Sequence, residues 1–237
     1  MRKKIVVTGG TGRFGNCLKG IKTNHKIFFP TKKTFNILKT NSLKKYLRAV
    51  KPDIVIHLAG LSRPMSIHDK DIKKSIELNI IGTANITKIC SELKIKLIYF
   101  STNYVYPGVN GNYSELDSLL PVNNYAWSKL GGECSVQLYK NSLIVRVCMT
   151  EKPFLHKKAF INVKTSFIYH EDVAKILFKL LNKKGIINVG GKSQYIYDFA
   201  KIENKNVKKI FLKKNDNFGI PKDSSLNLNK LYKTIKK

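Results

Sequence analysis

Lys4-Ile5-Val6-Val7-Thr8-Gly9-Gly10-Thr11-Gly12-Arg13-Phe14-Gly15 is an apolar strand that runs directly into glycines at 9, 12 and 15. In such a turn the first glycine allows a tight reversal and the second lets backbone N–H groups approach a pyrophosphate. The third lets the following helix pack closely on the strand. A glycine triplet alone is weak, because ordinary turns also carry glycines. Its place straight after an apolar strand, at the head of an alternating array, gives it meaning. The stretch reads as a dinucleotide-binding turn to which Gly9, Thr11, Gly12, Arg13, Phe14 and Gly15 contribute.

The array continues outward from there. His25 to Phe29 reads as a second strand, stopped by Pro30. Ser42 is placed to cap a helix carrying Leu43, Tyr46, Leu47 and Val50, which Pro52 closes. Asp53 to Leu58 is a near-continuous apolar run, as expected of a strand buried on both faces. A long helix is expected from Asp71 to Leu93, with Ile72, Ile76, Ile80 and Thr83 recurring at helical spacing. Gly82 inside it points to close packing. A strand at Lys96–Phe100, a helix from about Asn124 to Tyr139 and a strand at Leu143–Val147 follow. Alternation of this kind implies right-handed crossovers and an open, doubly wound α/β architecture with a parallel sheet.

Beyond Met149 the pattern loosens. A helix is expected from Glu171 through Leu181, a strand at Ile186–Val189, another at Ile210–Leu212, and a lysine-rich final helix around Leu226–Ile235. Residues 1–149 are therefore expected to form the dinucleotide-binding domain. Residues 150–237 would form a small, shortened substrate-binding region, with about 166–190 returning to the sheet.

Apolar residues make up 43% of the 237 and charged residues 25%, an ordinary globular balance that argues against disorder. No apolar run approaches the roughly 20 residues that span a bilayer. Met1-Arg2-Lys3-Lys4 resembles the start of a leader, but Ile5-Val6-Val7 is too short for its apolar core, so a cytoplasmic location is expected. Cys17, Cys90, Cys134 and Cys148 are scattered without a CxxC pair, and the histidines lack ligand spacing, so no metal site is expected. The net charge of +29 is large, yet arginine supplies only Arg2, Arg13, Arg48, Arg63 and Arg146. Nucleic-acid surfaces favour arginine for bidentate contacts and concentrate their charge in a patch. Here lysines are spread along the chain beside abundant Asn and Ile, as an AT-rich coding sequence would produce. No dedicated nucleic-acid binding and no membrane partner are expected.

Dinucleotide turns of this class are usually followed, at the end of the second strand, by an acid that holds the ribose 2′-hydroxyl of NAD. This chain has Pro30-Thr31-Lys32-Lys33 there, with Arg13 inside the turn. Both features lean to NADP, with NAD as the alternative.

Tyr125 and Lys129 lie four apart on a predicted helix, hence on one face. A neighbouring ammonium favours phenolate, and such a tyrosine can give a proton to a carbonyl oxygen. With 11 tyrosines and 39 lysines, chance supplies such pairs; Tyr197/Lys201 and Tyr232/Lys236 are two more. The setting selects the first, one helix after Ser101-Thr102, which end a buried strand on the ligand-binding side of an open α/β sheet.

Taken together, five segments resemble the extended short-chain dehydrogenase/reductases, a family of nucleotide-sugar enzymes. They are Thr8–Gly15, Pro52–Gly60, Asn79-Ile80-Ile81-Gly82-Thr83, Ser101–Gly108 and Tyr125-Ala126-Trp127-Ser128-Lys129. The resemblance implies a Rossmann-type fold and an NAD(P)-dependent oxidoreductase. It implies catalytic roles for Thr102, Tyr125 and Lys129, the last two also touching cofactor. It implies that the backbone of Leu58, Ala59 and Gly60 lines the nicotinamide ribose, and that Asn79 either lies near the active site or packs its helix. Sugar 4,6-dehydratases of the family carry an Asp-Glu pair after the threonine. This chain has Asn103-Tyr104, and Ser101–Gly108 with Tyr113-Ser114-Glu115 and Pro121 is similar to the dTDP-4-dehydrorhamnose reductases, which usually have aspartate where Asn103 stands. The expected reaction is reduction of a 4-keto-6-deoxy nucleotide sugar, with a homodimer as the expected assembly. A nucleotide-sugar 4-epimerase and a non-catalytic dinucleotide-binding regulatory subunit remain open as alternatives. The family's substrate-binding insert is compressed here to about twenty residues between Val147 and Phe167.

Overall fold

The computed structural model describes residues 1–213 and 219–236. The expected alternation is present: β1 (Lys4–Thr8), α1 (Arg13–Lys19), β2 (Lys26–Phe28), α2 (Thr40–Val50) and β3 (Ile54–His57) lead to the short helices α3 (Ile67–Lys70) and α4 (Ile72–Ser75). A π-helical segment at Ile76–Ile81 joins α4 to α5 (Gly82–Glu92); β4 (Lys96–Thr102), α6 (Asn124–Gln137) and β5 (Ser142–Val147) follow. Six strands form the central parallel sheet in the order β2-β1-β3-β4-β5-β10, where β10 is Gly185–Val189. The chain steps outward from β1 to β2 and then returns past β1 to β3. The strand order therefore reverses at β1/β3, and in open α/β sheets ligands bind outside the carboxyl ends of the strands at such a point.

The chain divides into two compact units. The first comprises residues 1–101, 127–145 and 181–186. Its core stacks Val6, Val55, Leu97, Tyr99 and Ile144 from the strands against Leu43, Leu47, Ile86, Cys90 and Val136 from the helices. Each Leu, Ile or Val buried this way contributes roughly 1.5–3 kcal/mol. The second unit comprises residues 102–126, 146–180 and 187–237. Among its described residues are β6 (Met149–Thr150), β7 (Lys158–Phe160), β8 (Lys164–Thr165), β9 (Ile168–Tyr169), α7 (His170–Leu180), β11 (Gln194–Tyr195), α8 (Ile196–Glu203), β12 (Lys208–Ile210) and α9 (Asn229–Ile235). Three two-stranded ladders, β6/β9, β7/β12 and β8/β11, frame a small aromatic core of Phe154, Val163, Ile196, Phe199 and Val207.

Three details differ from the sequence reading. Ser42 does not cap α2; it sits inside the first turn and its hydroxyl donates to the Lys39 carbonyl at 2.8 Å. The expected Asp71–Leu93 helix is interrupted in type by the π segment. Its Ile72 and Ile76 face solvent, while Ser75, Asn79, Thr83, Ile86 and Cys90 face inward. Tyr197, in a stretch where no helix is expected, lies on α8, whereas Tyr232 lies on α9 within the expected final helix. Gly82 does pack closely: a Cβ there would lie 2.5 Å from Ile37 Cδ1.

Candidate active site

The turn after β1 is closed against its own backbone. Gly9 has φ +69°, and a Cβ on it would meet the Ala59 nitrogen at 2.7 Å; one on Gly15 would meet the Gly9 carbonyl at 2.6 Å. The Gly12 N–H donates to that same carbonyl at 2.9 Å. Side chains are excluded on the turn's inner side, which leaves bare backbone at the carboxyl end of β1.

Hydrogen bonds draw the segment after β3 to this turn. The Thr8 hydroxyl accepts from the Leu58 N–H at 3.1 Å and the Ala59 N–H at 2.9 Å. A hydroxyl has two acceptor lone pairs and one proton, so the proton goes to His57 Nδ1, 2.7 Å away. His57 is thereby fixed as the Nε2–H tautomer and donates to Thr83 Oγ1 at 3.1 Å. Burial, helped by the charge of Lys129, pushes the imidazole down to about 3, so it stays neutral and serves this network. On the other side, Asn79 takes the Leu61 N–H on its carbonyl oxygen at 2.7 Å. Its amide donates to the Leu61 carbonyl at 2.9 Å and to Ser128 Oγ at 2.8 Å. The Leu58–Leu61 backbone is thus held from both ends, and Asn79 ties it to the helix turn that carries Lys129. Thr8, His57 and Thr83 were missed as site residues because each, taken alone, reads as ordinary polar punctuation of a strand or helix.

Lys129 is half-buried on α6. Burial of its ammonium lowers its pKa to about 7, against the opposing pull of Glu133. Tyr125 is one helical turn earlier on the same helix. Asn123 caps that helix by accepting the Ala126 N–H at 2.8 Å, while its amide donates to the Gly219 carbonyl at 2.8 Å.

Thr102 ends β4 and opens a short 3-10 turn by accepting the Tyr104 N–H at 3.3 Å. Its hydroxyl also donates to Asn103 Oδ1 at 3.5 Å. The Asn103 amide donates to the Ser224 carbonyl at 3.1 Å, Ser224 Oγ at 3.0 Å and Thr165 Oγ1 at 3.4 Å. An aspartate here would turn a carboxylate oxygen toward the Ser224 carbonyl, so the amide suits this position. Further along the same loop, buried Arg146 donates to the Tyr106 hydroxyl at 2.9 Å, and that hydroxyl donates to Asn188 Oδ1 at 3.0 Å. The sequence-predicted residues thus fall in two sets. The glycine turn, Leu58–Gly60 and Lys129 lie in the first unit, and Thr102 and Tyr125 in the second.

The model of the family described as RmlD substrate binding domain matches residues 2–163. The chain belongs to this family. Among curated relatives, methionine adenosyltransferase 2 subunit beta of Pongo abelii is 29% identical over 143 residues, covering 56% of this chain and 42% of the relative. A dTDP-D-glucose 4,6-dehydratase of Dictyostelium discoideum is 30% identical over 240 residues, covering 82% and 52%. The chain spans about half the length of the curated relatives it matches. Among solved structures, dTDP-4-dehydrorhamnose reductase from Bacillus anthracis str. Ames in complex with NADP superposes with a TM-score of 0.85 at 23% identity, covering 98% of this chain and 91% of that one. UDP-glucose 4-epimerase from Thermus thermophilus, complexed with NAD, gives a TM-score of 0.77 at 16% identity, covering 97% and 92%. These likenesses establish the Rossmann-type fold. Among the described residues no helix is long and apolar enough to cross a membrane, and no cluster of His, Cys, Asp and Glu could hold a metal ion.

Proposed function

We propose that this protein is an NAD(P)H-dependent reductase of a 4-keto-6-deoxy nucleotide sugar. The observation that carries the reading is a desolvated ammonium, Lys129, one helical turn from Tyr125 on α6. The turn at the carboxyl end of β1, whose inner side admits only glycine, with the pinned Leu58–Gly60 backbone beside it, fits a dinucleotide. Gly9, Thr11, Gly12, Arg13, Phe14, Gly15, Leu58, Ala59, Gly60, Tyr125 and Lys129 would hold it. Bound there, NAD(P)H supplies hydride. Lys129 binds ribose hydroxyls and, as an ammonium, favours the phenolate of a nearby tyrosine. Tyr125 delivers a proton to the substrate carbonyl oxygen, and Thr102 hydrogen-bonds that oxygen and orients it. The named activities of the matched reductase, dehydratase and epimerase lend support, since all act on sugar nucleotides. Residues 1–149 would serve as the dinucleotide-binding domain and 150–237 as the substrate-binding region, in a cytoplasmic homodimer.

The test is loss of NADPH absorbance with a panel of 4-keto-6-deoxy sugar nucleotides, where turnover of at least one is expected. The same reading predicts that NADPH binds several-fold tighter than NADH, because Arg13 and Lys32-Lys33 stand where an acid would hold an unphosphorylated ribose. Fluorescence titration of both cofactors checks this, and an NADH preference would remove the argument from these cations.

The matched adenosyltransferase beta subunits favour a second reading, a non-catalytic dinucleotide-binding regulatory subunit. Cofactor binding without turnover of any panel member would select it.

A further inference from the structure

We propose that Tyr99 and Glu133 form a seat that holds the Lys129 side chain in position as a cation, making both positioning residues of the candidate active site. The inference rests on the reading of Lys129 as the cation that holds cofactor and acts on Tyr125. Tyr99 lies in the middle of β4 and has no exposed surface. In a strand this apolar it reads as a core residue, yet its ring and hydroxyl are both turned to one partner. The Lys129 ammonium stands 4.2 Å from the ring centroid, within cation–π range, and the Tyr99 hydroxyl donates to the Lys129 backbone carbonyl at 3.0 Å. One aromatic residue therefore fixes both ends of the lysine.

The helix is shaped to allow this. A Cβ on Gly132 would lie 2.8 Å from the Tyr99 hydroxyl and would also strike the Asn79 carbonyl, so a glycine lets α6 come down onto β4. Glu133 is the next residue, four after Lys129 on the same helix face and wholly buried. An acid kept out of water one turn below a desolvated ammonium supplies the opposite charge that such a site requires.

The other groups around the ammonium do not replace these two. From β3, His57 lies beside the same ring, tilted by 32° with centroids 5.8 Å apart. Its pKa of about 3 leaves it neutral, and the Lys129 charge contributes to that lowering. From α3, His68 feels the same charge; burial is the main cause of its lowered pKa, Asp69 opposes it, and Nδ1 pairs with Ser75 Oγ at 2.7 Å. On α6 itself the other titratable residues are Tyr125, one turn before Lys129, and Cys134, which is exposed. Among the described residues, the pull that opposes the lowering of the Lys129 pKa comes from Glu133.

Lysine side-chain carbon NMR on 13C-lysine-labelled protein reads the seat without any turnover. The Lys129 resonance is assigned by its loss in Lys129→Met. In the wild type it should titrate near 7, ammonium below and amine above. Glu133→Gln removes the opposing charge, so the midpoint should fall by about one pH unit or more. Tyr99→Leu removes the π face and should lower it by roughly 0.4–1.5 units. Tyr99→Phe keeps the face and should leave the midpoint within a few tenths of a unit of the wild type. Should the leucine variant fail to fold, Tyr99→Met serves in its place, and Glu133→Gln carries the charge arm independently. Unmoved midpoints in Glu133→Gln and Tyr99→Leu would overturn the proposal, leaving both residues as packing. A phenylalanine variant shifted as far as the leucine one would overturn the role of the ring. A shifted midpoint in a protein that reduces no sugar nucleotide would sink the proposed reaction but leave the seat standing. Turnover with indifferent midpoints would do the reverse.

Discussion

Replacing Tyr125 with phenylalanine is expected to lower turnover by ~10²–10⁴-fold while cofactor affinity changes little. The ring stays and can pack as before; what disappears is the O–H that, in the proposed reaction, would deliver a proton to the carbonyl oxygen. Lys129, one turn along α6, is untouched by the change and would keep its proposed hold on the cofactor. The effect should therefore fall on kcat, with KM nearly constant, the pattern of an interaction made in the transition state. The same substitution at Tyr197 and Tyr232 is the control, because those tyrosines share the four-residue spacing to a lysine but sit on α8 and α9. Steady-state kinetics of the three variants decide the matter. Equal losses at all three positions would mean that Tyr125 has no special role.

The second large effect concerns Gly9. Changing it to alanine forces an L-residue into φ +69° and drives a methyl group to 2.7 Å from the Ala59 nitrogen. The left-handed backbone costs roughly 1–2 kcal/mol and the overpacking ~1–3, together about 2–5 kcal/mol. Relief would require the Leu58–Ala59 backbone to move off Thr8, breaking the bonds that hold it beside the turn. Both stability and dinucleotide binding should suffer, measured by urea unfolding and by NADPH titration. Gly20→Ala is the matched control, since a Cβ there meets its nearest neighbour at an ordinary 3.5 Å. A Gly9→Ala protein that binds NADPH normally would show that the turn is not the cofactor's cradle.

The fold was legible where one physical signal dominated. Buried parallel strands such as Ile54–His57 and Lys96–Thr102 are apolar on both faces, and their alternation with helices leaves few topologies. Local hydrogen-bond competition was not legible: Ser42 could cap a helix or bond back into it, and the Lys39 carbonyl decided. The inward face of the helix beginning at Ile72 was legible only in part: the expected stripe included Thr83, which is buried, but also Ile72 and Ile76, which face solvent, whereas Asn79 is drawn in by polar partners. The candidate site shows the same division. The glycines and the Tyr125/Lys129 pair stand out through context, but Tyr99 is hidden among apolar neighbours in its strand. Glu133 carried a usable signal, an acid four residues past Lys129 on one helix face, that went unread.

The π-helical segment at Ile76–Ile81 bears on how this chain can change length over evolutionary time. A wide turn of this type is what one residue inserted into an α-helix produces. Elsewhere in the helix from Ile72 to Glu92, adding or deleting a residue would rotate one half against the other by about 100°. Within the wide turn a one-residue deletion would restore ordinary winding and keep Ser75 and Thr83 on their own faces. The Asn79 carbonyl would then withdraw from the place where it now abuts Gly132. Length at 76–81 and side-chain size at 132 are thus partly coupled traits: shortening the first removes one of the contacts that keep position 132 small, while the Tyr99 hydroxyl and Thr83 Oγ1 still crowd it.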